Sequence, residues 1–225
     1  MADPYSPVES PIFMNVLVER FRGRYWGLDT VEKSEMSASL FSLLKRPGTD
    51  VISARAYLSP REDSDLVLWY STRTPEASVG FKMKIRSILA EQTEPVYSML
   101  SIYEDSPYLK GEGNLENTLK QDPKKYFVCY PMSKSVEWYL LDFAERKRIM
   151  ANHIGMALSH PENKGIRSYT TYSFGISDQE FVVLYETDNL VAWSHVTQKL
   201  REAEARKWIV KEEPIFVGIL CTSLP

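Results

Sequence analysis

Cysteine and histidine are scarce in this chain, two of the former and three of the latter. Cys129 and Cys221 lie within strand-like apolar runs and show no metal-ligand spacing. They read as buried thiols of a reducing compartment, which makes a cytoplasmic protein the expectation. A basic excess is also missing: the formal net charge is −3, which argues against a phosphate-backbone partner. No apolar run approaches the roughly 18 residues of a membrane helix. The opening "MADPYSPVESP" is polar and proline-rich, lacks the apolar stretch of a secretory signal, and reads as a surface-lying arm. What is plentiful is tyrosine, 13 residues, which suits large packed sheets, a ligand pocket, or both.

The periodicities repeat an order. Strand-like alternation covers residues 12–20 and a helical pattern 31–45; strands follow at 50–58 and 65–72, joined by the turn "SPREDSD". Thr74-Pro75, a hydroxyl N-cap with proline at the first helical position, opens a helix to about residue 91. A strand then runs to about 104. Segment 105–124 is weakly periodic, with a short helix near 114–120. After it come a strand at 125–134, a helix opened by Asp142 with Glu145 as a capping box, strands at 165–174 and 179–187, a helix at 189–207 and a strand at 214–221.

Two β-α-β-β-α-β units make two ferredoxin-like halves. Helices cover one face of each antiparallel sheet, and stacking the sheets buries the other. The expected fold class is therefore α+β, a tandem duplication packed sheet to sheet with helices outside, of the dimeric α/β-barrel type. Its parts would be an arm over 1–11, an N-terminal half with linker over 12–122, and a C-terminal half over 123–225.

Candidate chemistry concentrates in "YPMSKSVEWYLLDFAERKRIMANH", Tyr130 to His153. On a helix, His153 has Ile149, Met150, Met156 and Ala157 as neighbours, an apolar stripe. It reads either as a satisfied core histidine or as the single axial ligand of an iron porphyrin. His160 precedes a proline and His195 is flanked by Ser194 and Thr197, so a zinc or di-iron cluster is not indicated. In an extended strand Tyr130, Met132 and Lys134 share one face. A phenol and an ammonium there can hold a carboxylate, and the phenol can also give up a hydrogen atom. The plain alternative is an amphipathic strand whose lysine reaches water. Pro131 cannot donate to a ladder, which places it at an edge or a strand end.

The phrases "YPMSK", "SVEWYLL", "ERKRIMANHIGMA" and "EARKWIVKEEPIFVGIL" resemble the chlorite dismutase family, and within it most of all the coproheme decarboxylases of the actinobacterial branch. The resemblance is strongest over about 123–220. It implies a ring of subunits, usually a pentamer, with a haem in the C-terminal half. His153 matches the proximal iron ligand, and Tyr130 the tyrosine oxidised to a radical that attacks a propionate. Lys134 matches the basic residue beside that propionate, and Met132 a pocket-lining position. Glu204 falls near the carboxylate that accepts the proximal imidazole N–H, with Glu202 close enough to compete. The implied reaction converts iron coproporphyrin III to haem b with hydrogen peroxide, each propionate leaving carbon dioxide and a vinyl group.

Two positions depart from the family. Members that split chlorite carry a distal arginine where this chain has Ser168, and Arg167, one residue earlier, faces the other way in a regular strand. The actinobacterial decarboxylases use a distal histidine at a position matched here by Gly113, and no histidine precedes His153. Three functions follow: a coproheme decarboxylase, a non-catalytic haem-binding protein, and, disfavoured at Ser168, a chlorite-degrading, oxygen-evolving enzyme.

Overall fold

The computed structural model describes residues 11–108 and 114–225. Apart from Pro11, the expected arm lies outside these residues, as does Gly113. The N-terminal half contains β1 (Ile12–Phe21), a short α1 (Gly23–Trp26), α2 (Thr30–Lys45), β2 (Val51–Leu58), β3 (Leu66–Thr72), α3 (Pro75–Leu89) and β4 (Thr93–Tyr103). A single turn, α4 (Leu115–Leu119), leads to β5 (Tyr126–Lys134), α5 (Val136–Leu140), α6 (Phe143–Ser159), β6 (Arg167–Tyr172), β7 (Phe181–Thr187), α7 (Leu190–Leu200), β8 (Ile209–Lys211) and β9 (Phe216–Leu220).

Every strand pairing is antiparallel. The N-terminal half runs β4-β1-β3-β2 and the C-terminal half β9-β5-β7-β6, the same ferredoxin-like order twice. The two sheets face each other, and their edges also meet. β2 joins β9 through Tyr57↔Leu220 and Leu58↔Ile219, and β4 joins β6 through Ile102↔Tyr172. Eight strands thus close a barrel, which removes the exposed edges. Gly218 permits the first seam, since a Cβ at 218 would stand 2.4 Å from Tyr57 Cβ.

Inward-facing residues fill the barrel with apolar and aromatic side chains. Phe127 stacks between Tyr57 and Trp69, at ring-centroid distances of 4.8 and 4.9 Å. Cys129 belongs to this core, where burial pushes its thiol far up; Cys221, half-buried, is pushed up to about 11. Opposite charges meet inside. Glu186, wholly buried, lies 2.8 Å from the Arg55 guanidinium of the other half, accepts from the Tyr169 hydroxyl at 2.8 Å, and pairs with Arg167 at 3.2 Å. Arg167 therefore does point away from Ser168. Arg55 also donates to the Leu119 and Gln121 carbonyls, tying the linker to this buried charge.

Outside the barrel the two halves differ. In the N-terminal half, a capping box of Asp29 and Glu32 starts α2, and Thr74 accepts from Ala77 N–H to start α3. α2 buries Leu40, Phe41 and Leu44, and α3 buries Phe81, Ile85 and Leu89, against the outer face of the sheet. Each such side chain contributes about 1.5–3 kcal/mol. α6 is as long as α2 but buries only Arg146 and Ile149. Its expected capping box is not formed: Asp142 makes no side-chain cap, and Glu145 is drawn to Arg148. The expected helix over 189–207 stops at Leu200. A 3-10 turn, Glu204–Trp208, and β8 follow, which brings the chain back beside Ser133 and Lys134.

Candidate functional site

Because α6 does not close onto its sheet, a cavity of about 570 Å³ lies between α6, α7 and the outward face of β5, β7 and β6. That volume lies within the roughly 300–1,000 Å³ usual for small-molecule sites. Alternation along the strands decides which residues face it. Met132 and Lys134 do so from β5, Ser168, Thr170 and Tyr172 from β6, and Phe181 and Tyr185 from β7. α6 contributes Arg146, Met150, His153 and Ala157, on one stripe. Glu104 to Tyr108 stand along the rim.

β5 is an interior strand, against the expectation from Pro131. The proline is tolerated because it falls in a gap: β9 pairs with Tyr126 to Cys129, and β8 with Ser133 and Lys134. No neighbour on that side asks Pro131 for a donor.

His153 faces the cavity among apolar side chains. Burial, then the nearby Lys134 and Arg206 charges, lower its pKa, so the imidazole is neutral near pH 7 and its lone pair is available. Its Nδ1 is buried without a hydrogen-bond partner. Glu204 is not brought to it. The 3-10 turn directs that carboxylate outward to Arg148 at 2.9 Å and Lys207 at 3.5 Å, while Glu202 pairs with Lys199.

Lys134 is 9% exposed and holds its ammonium 3.4 Å from the centre of the Trp138 ring and 3.8 Å from Met150 Sδ. Burial is the main reason its pKa falls to about 7; Glu180 opposes the shift and Arg146 adds to it. Glu180 is itself engaged by the Lys134 backbone N–H at 2.7 Å and the Tyr139 hydroxyl at 2.6 Å. Arg146 supplies a second buried cation, seven residues before His153 on the same helix stripe. The sequence pattern held that signal, but Arg146 had the look of any charged helix residue.

Tyr130 shares the outward face of β5 with Met132 and Lys134 but is not among the residues lining the cavity; Tyr185 stands in front of it. Their rings lie 6.1 Å apart at 25°. Burial raises both phenol pKa values. Tyr185 also packs on Trp193 at 4.1 Å, and Ser168 is its cross-strand partner.

Among the described residues no group of three or more His, Cys, Asp or Glu side chains could hold a metal ion, and no helix is long and apolar enough to cross a membrane. A double β-α-β-β-α-β barrel with a cavity of small-molecule size under its second helical layer, lined by His153, Lys134 and Arg146 and by the carboxylates of Glu104 and Asp105, is an α+β architecture. The model of the family described as chlorite dismutase matches residues 33–221, and the chain belongs to that family. A coproheme decarboxylase of Mycolicibacterium smegmatis is 29% identical over 161 residues, 70% of this chain and 68% of that one. A solved structure provisionally named a chlorite dismutase is 47% identical with a TM-score of 0.87, covering 94% of this chain and 95% of that one. Chlorite dismutase from Candidatus Nitrospira defluvii, solved with imidazole, is 18% identical with a TM-score of 0.82, covering 95% and 92% of the two chains, and shares the fold.

Proposed function

We propose that this protein is a peroxide-dependent coproheme decarboxylase, converting iron coproporphyrin III to haem b. The observation that carries the reading is the cavity's donor set. A lone neutral imidazole sits on an apolar wall, and two buried cations, Lys134 and Arg146, lie in the same space. An iron porphyrin fits such residues. His153 would hold the iron, the apolar stripe of α6 and Met132 would meet the ring, and the cations would meet propionates. When bound, the porphyrin supplies the redox chemistry with hydrogen peroxide.

The chain's own residues then do three things. Lys134, neutral or charged at little cost near pH 7, takes up a proton as a carboxylate arrives, so placement is coupled to charge. Tyr130, a protonated phenol on the face of β5 that carries Met132 and Lys134 but outside the cavity lining, would give up its hydrogen atom to the oxidant formed from peroxide and regain one from the propionate. Trp138, Phe181 and Trp193 exclude water that would quench the radical. Ser168 offers no guanidinium, and Arg146 stands on the same helix as His153, so chlorite breakdown is not the reading favoured here.

The test is product mass after peroxide addition to protein loaded with iron coproporphyrin III. Wild type should convert two propionates to vinyl groups with the loss of two carbon dioxide; Tyr130→Phe should bind the porphyrin and leave all four propionates intact. A second reading, a haem-binding protein without turnover, is favoured by Ser168 and Gly113, which stand where family members carry a distal arginine or a distal histidine to assist the oxidant. It becomes the better one if wild type leaves all four propionates in place.

A further inference from the structure

The sheet wall of the cavity carries a carboxylate to which the steps above give no task. Alternation along β4 turns Met99, Ser101 and Tyr103 into the barrel: Met99 and Tyr103 belong to its core, and the Ser101 hydroxyl accepts from Thr171 at 2.6 Å. Ile102, on the other face, pairs with Tyr172 of β6, which lines the cavity. The same alternation brings Glu104 to the cavity side, and it too lines the cavity. Glu104 therefore stands with Ser168, Thr170 and Tyr172 on the sheet side, across from Met150, His153 and Ala157 of α6. Among the described residues lining the cavity, Asp105 holds the one other carboxylate. Lys134 keeps its nitrogen over the Trp138 ring, and the hydroxyls of Ser168 and Thr170 exchange hydrogen bonds without taking up a proton near pH 7.

We propose that Glu104 is a catalytic residue, the general acid–base that moves the proton of hydrogen peroxide on the sheet side of the cavity. This rests on the decarboxylase reading above and gives that reaction the proton carrier that Ser168 cannot be. A ligand held at His153 turns its other side toward the sheet, so peroxide bound there lies on the side of Glu104. The carboxylate takes the proton from the inner peroxide oxygen. As the O–O bond breaks, the bonding pair goes to the outer oxygen, which receives that proton from Glu104 and leaves as water. The oxygen atom left behind is two electrons short, and these come from the bound porphyrin. Glu104 ends the step ionised, ready for the second peroxide that the second propionate requires. Burial, and then the neighbouring Asp105 charge, raise its pKa, so it holds the transferred proton more firmly than an ordinary carboxylate does.

The experiment takes two readouts from protein loaded with iron coproporphyrin III. One is the association rate of cyanide, which arrives as HCN and must also give up a proton; the other is haem b formation with peroxide, followed by mass. Glu104→Gln preserves size and shape, so it should melt and bind the porphyrin as wild type does. Its cyanide association and its haem b formation should both slow by about a hundredfold or more. Glu104→Asp, which keeps a carboxylate, should retain most of each rate, and Asp105→Asn should slow them less than Glu104→Gln does. A Glu104→Gln variant that takes up cyanide at the wild-type rate overturns the proposal, as does a loss that falls on Asp105→Asn instead. A wild type whose cyanide uptake depends on Glu104 but which makes no haem b overturns the decarboxylase reading and leaves Glu104 as the proton carrier.

Discussion

Lys134 points its ammonium at the face of Trp138, 3.4 Å from the ring centre, and both side chains are buried. The ring's negative face replaces part of the hydration that the ammonium has lost, but burial still lowers its pKa to about 7. A lysine depressed in the folded state is the reverse of a stabilising ion pair. Below about pH 7 the lysine is charged in both states and its full burial cost is present. Between about 7 and the unfolded value near 10.4 the unfolded chain binds more protons, so stability rises with pH, by at most about 1.4 kcal/mol per unit. Thermal denaturation of the apo-protein should therefore show a midpoint that climbs over this range. Lys134→Met should flatten the climb.

Removing the imidazole should separate binding from folding. His153→Ala is expected to abolish the five-coordinate histidine signature in the ferrous porphyrin spectrum. The apo-protein should lose little stability, because the buried Nδ1 has no partner to forfeit. An unchanged spectrum would remove the ligand assignment.

Glu186 holds the two halves together from inside. Replacing it with glutamine leaves Arg55 and Arg167 facing a neutral group in a buried site. Breaking one side of a buried ionic network costs about 3–5 kcal/mol. Urea denaturation should report that loss as a lower midpoint at unchanged slope.

The seam between β2 and β9 should be sensitive to one methyl group. Gly218→Ala puts a carbon against Tyr57 Cβ, a backbone-near atom that cannot swing away. Overpacking of this kind costs about 1–3 kcal/mol. Hydrogen exchange should show the added opening at Tyr57, Leu58 and Leu220 before it appears elsewhere.

The family resemblance carries an expected closed homo-oligomer, a pentamer. Light scattering at micromolar concentration should give five times the 25.9 kDa chain mass. A monomer would count against it.

Much of the fold was legible because each element carries its own period. The helices α2 and α3 bury regular stripes, and the start of α3 is written in Thr74 and Pro75; the capping box expected at Asp142 and Glu145 does not form, while the one at Asp29 and Glu32 was not foreseen. Joining of the sheet edges was not legible, since it rests on contacts as small as a missing Cβ at 218. The cavity was hidden for a related reason: a void is packing that does not happen, and the stripe from Met150 to Ala157 looks the same whether it meets a sheet or a ligand. Met132, Lys134, His153 and Ser168 do come together as alternation and helical spacing imply. Glu204 does not, because the 3-10 turn after Leu200 rotates it to the surface. Tyr185 was missed because in "FVVLYET" it passes for one more apolar strand residue.

The unequal outer layers of the two halves have a consequence for how the chain tolerates change. A lone ferredoxin-like unit that held its helix away from its sheet would lose much of its only core. Here the first copy keeps its cleft filled by Leu40, Phe41, Phe81 and Ile85 and shares a barrel wall with the second. The hollow copy thus borrows rigidity from its solid twin. Substitutions under α2 and α3 should be felt first as melting temperature, and those under α6 as ligand affinity at nearly constant melting temperature. Duplication has in effect divided one protein's robustness from its reactivity.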